Sequence, residues 1–185
     1  MASIFDKQIK NRNFLSPTGF KFSLTRAPKV SFFGNQANIP SVNLGIAEQP
    51  TYLRDLPLPG DKVTFEDFNL TFLVDENLEN YSELQNWIRS IGYSDTLQDA
   101  FDFQNSNKDL EQPDKSQLNF YSDGTLQILT SSENPNFKVV FQNLFPYQLS
   151  TLTFDASAED INYFTAEVSF KYTIFNITDL SGNKL

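Results

Sequence analysis

Apolar and polar positions alternate through much of the chain, and the period changes once, decisively, near its middle. In GFKFSLTRA (Gly19 to Ala27), Phe20, Phe22 and Leu24 share one face, which predicts a strand. NIPSVNLG (Asn38 to Gly45) contains a proline and predicts an edge strand or a bend. TYLRDLPLPG (Thr51 to Gly60) predicts a short strand closed by a turn at Pro59-Gly60. Val63, Phe65, Phe68, Leu70, Phe72 and Val74 follow, and the step of three after Phe65 predicts a β-bulge near Glu66-Asp67. From Leu78 the spacing becomes helical. Leu78, Tyr81, Leu84, Ile88 and Ile91 form one stripe with Trp87 beside it. Asn80 and Glu83 have capping-box spacing, Asp75 or Asn77 could cap a longer helix, and Gly92 is placed to end it. Leu97, Ala100 and Phe101 suggest a second helical stretch, and Asn105 to Gln117 reads as a polar, acidic loop.

The C-terminal third predicts antiparallel sheet. LNFYSDGTLQIL (Leu118 to Leu129) reads as two strands around an Asp123-Gly124 turn. Phe137 to Gln142 alternates, and Leu149 to Phe154 does so more weakly. The cleanest strand is Tyr163 to Ile177, with Phe164, Ala166, Val168, Phe170, Tyr172 and Ile174 on one face and Thr165, Glu167, Ser169, Lys171 and Thr173 on the other. At about 3.3 Å per residue it would run roughly 45 Å, longer than a compact barrel of this size needs. A wall continued by neighbouring copies is the expectation. Residues 1–17 read as an arm anchored by Ile4, Phe5, Ile9, Phe14 and Leu15, residues 18–177 as one β domain, and residues 178–185 as a C-terminal tail. Ile4, Phe5, Ile9 and Phe14 are too separated to form a core alone and are the candidates for an inter-subunit arm.

Composition removes most chemistry. The 185 residues suit a single domain that buries roughly 70% of its unfolded surface. Cysteine and histidine are both absent, so thiol chemistry, disulfides, the usual general base and every Ser-His or Cys-His arrangement are excluded. The acidic pairs Glu66-Asp67, Asp75-Glu76 and Glu159-Asp160 are poor catalytic dyads, since neighbours in a strand point to opposite faces. Asp75, Glu76, Asn77 and Glu79 lack the spacing of a calcium loop, and a helix start attracts acids through its dipole without any metal. No catalytic, cofactor or metal residues are therefore assigned. Nineteen phenylalanines point to an aromatic core, and a net charge of −9 disfavours nucleic-acid binding. Lys7, Lys10 and Arg12 form a small basic group in the arm, a solvated face by default and a docking element as the second reading. Met1-Ala2-Ser3 leads into a charged stretch, and no apolar run approaches a membrane span, so the expectation is synthesis in a cytoplasm and no membrane partner.

Ordered motifs across residues 18–176 resemble the tail tube protein family of contractile-tailed bacteriophages. They are Ile39, Pro40, Ser41 and Gly45, then Gly60, Asp61, Thr64, Phe65 and Asp67, then Asp75, Glu76 and Trp87, and finally Phe141, Phe145, Pro146, Leu149, Leu152 and Asp155. Asn143-Leu144 stand where the family commonly carries Gly. The resemblance implies a mainly β, two-sheet sandwich or barrel with one flanking α-helix. It also implies a structural, non-enzymatic virion protein whose rings, six copies each, stack into, initiate or cap an inner tail tube. The partners would be other copies and other tail tube, sheath or baseplate proteins, with DNA passing through without specific binding. Thr165, Glu167, Ser169, Lys171 and Thr173 would then face the channel. The reading from another class is a β-sandwich ligand-binding or hydrolase domain, which the missing histidine and the unpaired acids weigh against.

Overall fold

The computed structural model describes residues 14–32, 34–92, 96–98, 120–155, 157 and 163–185. The elements in chain order are β1 (Phe20–Leu24), α1 (Pro28–Phe32), β2 (Gly34–Ala37), β3 (Val42–Gln49), β4 (Leu56–Phe65), β5 (Phe68–Leu73), α2 (Glu79–Gly92), β6 (Ser122–Leu129), β7 (Pro135–Leu149), β8 (Thr165–Lys171) and β9 (Ile174–Thr178). The long strand is β7, and it organises the rest. Its first part pairs with β6 on one side and β9 on the other, while its second part pairs with β8. β8 continues the sheet to β5 and then β2, and β6 continues it to β1.

The bend in β7 falls at Asn143, whose φ of 55° lies in the left-handed region. Asparagine tolerates that region better than most residues, which explains how it can stand in place of a glycine. Opposite this bend the final strand also breaks, at Tyr172-Thr173, where the Thr173 N–H still reaches the Gln142 carbonyl at 3.0 Å. The expected straight strand from Tyr163 to Ile177 is therefore two strands joined by a kink. Phe164, just before β8, and Ile174, directly after the kink, are placed on the core face by alternation but lie exposed.

The two halves pack face to face through aromatic rings. Phe68 on β5 lies 5.1 Å from Phe22 on β1, 4.6 Å from Phe141 on β7 and 5.9 Å from Phe170 on β8, centroid to centroid. All four side chains are buried, together with Leu24, Leu70, Phe72, Leu126, Val139, Leu144 and Val168. Gly124 faces this core. A Cβ there would sit 3.4 Å from the Phe22 ring and 3.5 Å from Leu144, so close packing accounts for the glycine. Asp123-Gly124 is accordingly not a hairpin turn but part of one strand, β6. Beyond Leu149, residues 150–154 form no strand, so the weak alternation there did not carry.

α2 flanks the sandwich through Leu84 and Trp87, both buried. The Trp87 indole N–H donates to the Phe120 carbonyl at 2.9 Å, and the Arg26 guanidinium stacks 5.4 Å from the ring centre. Burial lowers Arg26 to about 10. The helix start differs from a capping box. Leu78, at φ 58°, supplies the carbonyl that accepts the Ser82 N–H. Asn80 is buried instead, donating to the Leu73 carbonyl and accepting from the Asp75 and Tyr81 N–H groups, which ties β5 to the helix. The single flanking helix expected from sequence has a short companion, α1, packed against β1. Of the second helical stretch only Thr96 to Gln98 is described, while Ala100, Phe101 and the loop from Asn105 to Gln117 lie outside the described residues.

Phe68→Ala should cost about 3–5 kcal/mol in urea unfolding, because it opens a cavity where three rings meet. A second expectation concerns Glu83, whose Oε2 is buried without a hydrogen bond among the described residues. Burial raises this carboxyl above the ordinary glutamate value, with Lys29 opposing weakly. An acid raised in the folded state costs stability above that value and nothing once both states are protonated. Glu83→Gln should therefore raise the thermal midpoint at neutral pH, and the gain should fade on acidification.

Candidate assembly surfaces and channel face

The sequence-derived polar face stands on β8. Ala166, Val168 and Phe170 are buried, while Thr165, Glu167 and Lys171 are exposed and Ser169 is half-exposed. Across the sheet Ser169 pairs with Asn69 and Glu167 with Thr71, so β5 extends the polar face. The Glu167 carboxylate has no ion pair among the described residues. Thr173 is exposed too, but it lies in the kink between strands rather than in the row. Its hydroxyl accepts from the Asn143 side-chain amide at 3.3 Å.

Lys171 differs from its neighbours in being paired. Its ammonium meets one oxygen of Asp67, and the Tyr147 hydroxyl donates to the other. Tyr147 is the extra residue of a bulge in β7, between Pro146 opposite Phe170 and Gln148 opposite Ser169. The bulge re-aims its side chain toward Asp67. These bonds hold the Asp67 carboxyl below the usual range, the Lys171 and Tyr147 hydrogen bonds being the main causes. Glu66-Asp67 is thus no bulge within one strand: β4 ends at Phe65, β5 begins at Phe68, and the chain changes sheets between them.

β3 and β4 make a sheet of their own. Sequence reading missed this hairpin because it took Pro59-Gly60 for a turn, whereas both residues lie inside β4, with Pro59 opposite Ile46. Pro57 and Pro59 are tolerated because β4 has no strand partner on its other side among the described residues. The alternation of Val42, Leu44 and Ile46 was the available signal. Opposite them stand Phe65, Val63 and Pro59, so one face of the hairpin is apolar. That face is in water: Val42, Leu44 and Val63 are about half exposed and Ile46 is 74% exposed. At the tip Tyr52 and Leu53 are fully exposed as well. Among the described residues the hairpin is anchored at its base, where Phe65 packs 5.6 Å from Phe175 and 6.1 Å from Tyr172.

Of the arm candidates, Phe14 is 95% exposed, while Ile4, Phe5 and Ile9 lie outside the described residues, as do Lys7, Lys10 and Arg12. Among the described residues no group of three or more acidic side chains is arranged to hold a metal. No helix there is long and apolar enough to cross a membrane.

The profile of the phage tail tube protein family matches residues 3–178. The chain belongs to that family. A tail tube protein of Serratia phage KSP90 is 27% identical over 165 residues, covering 89% of this chain and 85% of its own. Among solved structures, the tube-terminating cap of the anti-feeding prophage superposes with a TM-score of 0.60 at 13% identity, covering 96% of this chain and 99% of that one. A chain of the sheath-tube complex of the PVC extracellular contractile injection system gives 0.56 at 14% identity, covering 97% and 100%. At such identity these two establish a shared fold. Tail tube membership makes the role structural, in the virion tail.

Two of the family motifs now have a physical reason. Gly45 and Gly60 face each other where the β3–β4 register shifts, and a Cβ on Gly60 would collide with the Gly45 carbonyl. Gly60→Ala should therefore loosen the hairpin while leaving the sandwich within about 0.5 kcal/mol of its stability, since the collision lies outside the core. Hydrogen exchange resolves the two: faster exchange confined to residues 42–65 is expected, and equal acceleration in β6 and β7 would show that the hairpin supports the core.

Proposed function

We propose that this tail tube protein assembles into closed rings of six and that the rings stack into, start or cap the inner tube, with the outer face of β8 and β5 toward the lumen. The observation that carries this reading is the apolar hairpin face in water. A two-stranded ribbon is marginal alone, and its exposed Val42, Leu44, Ile46 and Val63 form one contiguous strip. A second copy is the natural cover. The contact joins a hairpin to a different surface of its neighbour, and such head-to-tail contacts close into rings when the rotation permits. Ile4, Phe5, Ile9 and Phe14 of the arm are assigned to the same inter-subunit contacts.

The lumen assignment rests on polarity and charge. Thr165, Glu167 and Ser169 present hydroxyls and a carboxylate, whereas the outer face of the other half carries Lys21 and Lys138, both opposite Gln127. A wall without free cations, in a chain of net charge −9, repels phosphate and lets DNA slide. Sheath and baseplate proteins are the partners on the outer and end surfaces.

Light scattering and electron microscopy of the purified chain test the assembly. Rings or tubes that grow with concentration are the expected result, and a chain that rings only with a partner protein belongs at one end of the tube. A strict monomer that no tail partner assembles would overturn the reading. Thr165→Lys with Glu167→Lys should fold within about 0.5 kcal/mol of the parent and form tubes, yet impair genome delivery in a complemented phage. Val168→Lys should fail to fold because it buries an unpaired charge. If the two faces are equally intolerant, β8 is covered on both sides and does not line a channel.

A further inference from the structure

Lys171 is the one cation in the polar row of β8, and the protein holds it in an unusually constructed setting. The carboxylate that meets it, Asp67, is not on a free surface loop. Its carbonyl accepts the Asn38 side-chain amide at 3.1 Å, and the same Asn38 accepts the Asn69 N–H at 2.7 Å. The preceding carbonyl, of Glu66, accepts the Tyr172 hydroxyl at 2.7 Å. The second carboxylate oxygen is taken by Tyr147, whose ring also lies 5.4 Å from the Lys171 ammonium. The backbone of Asp67 is therefore fixed from β5, the end of β2 and the kink after β8, and its side chain from β7.

Exposed ion pairs contribute little to stability, because screening and lost side-chain freedom offset the attraction. Lys171 and Asp67 are both partly exposed, so this pair should matter little to folding. Its effect on the local field is larger. A free lysine at this position would recur in every copy of a ring and make a belt of positive charge, whereas a lysine matched to a fixed carboxylate leaves Glu167 as the uncompensated charge of the row.

We propose that Asp67 and Tyr147 form a clamp that masks Lys171, so that the channel face has no free cation with which to hold a passing DNA backbone. The proposal rests on the lumen assignment made above. The hydrogen bond to Asp67 also raises the Lys171 amine above its ordinary value, so less of it is neutral at mildly alkaline pH.

Two experiments separate the clamp from the channel. In assembled tubes, fluorescent double-stranded DNA is incubated at low salt and co-sedimented. Parent tubes should retain little. Asp67→Asn should raise retention by about tenfold, with the gain lost as salt is added, because each freed cation adds a phosphate contact. Adding Lys171→Gln to Asp67→Asn should return retention to the parent level. Asp67→Asn tubes that retain no more DNA than the parent, or retention that Lys171→Gln does not reverse, would overturn the proposal. Lysine acylation of the parent subunit, read by mass spectrometry, needs neither tubes nor a folded variant. Lys171 should react several-fold more slowly than the exposed Lys62. Equal rates would show that no clamp exists, whatever the tubes do. Slow Lys171 acylation with failed assembly would leave the clamp standing and sink the tube reading alone.

Discussion

The packing of Phe68 against Phe22, Phe141 and Phe170 is the contact on which the rest of the structure depends. It joins the two halves of a single sheet, and it forms only because β7 bends at Asn143 and the final strand kinks at the same level. A left-handed residue in the middle of the longest strand is costly by itself. The rings buried on either side offset that cost. With the rings inside, the alternating partners of those strands must face outward, and they are polar.

The same geometry explains why the hairpin stands apart. Between Phe65 and Phe68 the chain passes from β4 into the main sheet, and Asn38, Tyr172 and Ser41 bind the backbone at that crossing. The β3–β4 hairpin that precedes the crossing is held, among the described residues, at its base. The sandwich has already covered its aromatic core, so no apolar surface is left over for the strip formed by Val42, Leu44, Ile46 and Val63. An apolar ribbon fixed at one end and uncovered along its length is suited to contact another molecule, and family membership makes tail components the relevant ones. The crossing also places Asp67 beside the bulge in β7, so the corner that directs the hairpin outward is the one that holds Lys171.

Much of this was legible in the chain. Strict alternation located β1, β5 and β8 and sorted their faces correctly, because a strand half-buried in a sandwich repeats every two residues. The helical stripe located α2, and Leu84 and Trp87 proved to be its buried apolar residues. Absence of cysteine and histidine narrowed the chemistry before any fold was known, and the ordered motifs pointed to the family. Local signals misled where a residue served a distant contact. Asp123-Gly124 looked like a turn, but Gly124 is small because Phe22 and Leu144 pack on it. Pro59-Gly60 looked like a turn, but Gly60 is small because the Gly45 carbonyl passes above it. Asn80 looked like a helix cap, but it is buried and bonds to the end of β5.

Read alone, the chain located β1, β5, β8 and α2 and the buried faces of those three strands, ruled out histidine and thiol chemistry, and pointed to the family. Those follow from periodicity, composition and motif order, which are properties of neighbours along the chain. Only the tertiary structure decided where the strands bend, that β3 and β4 leave the sandwich, and that Lys171 is matched by Asp67 and Tyr147. Each of these depends on residues far apart in sequence: Asn143 opposite Thr173, Gly45 opposite Gly60, Asp67 beside Tyr147 and Lys171. A pattern of nearest neighbours has no term for such pairs, because their cost and gain arise only when the chain has folded and brought them together.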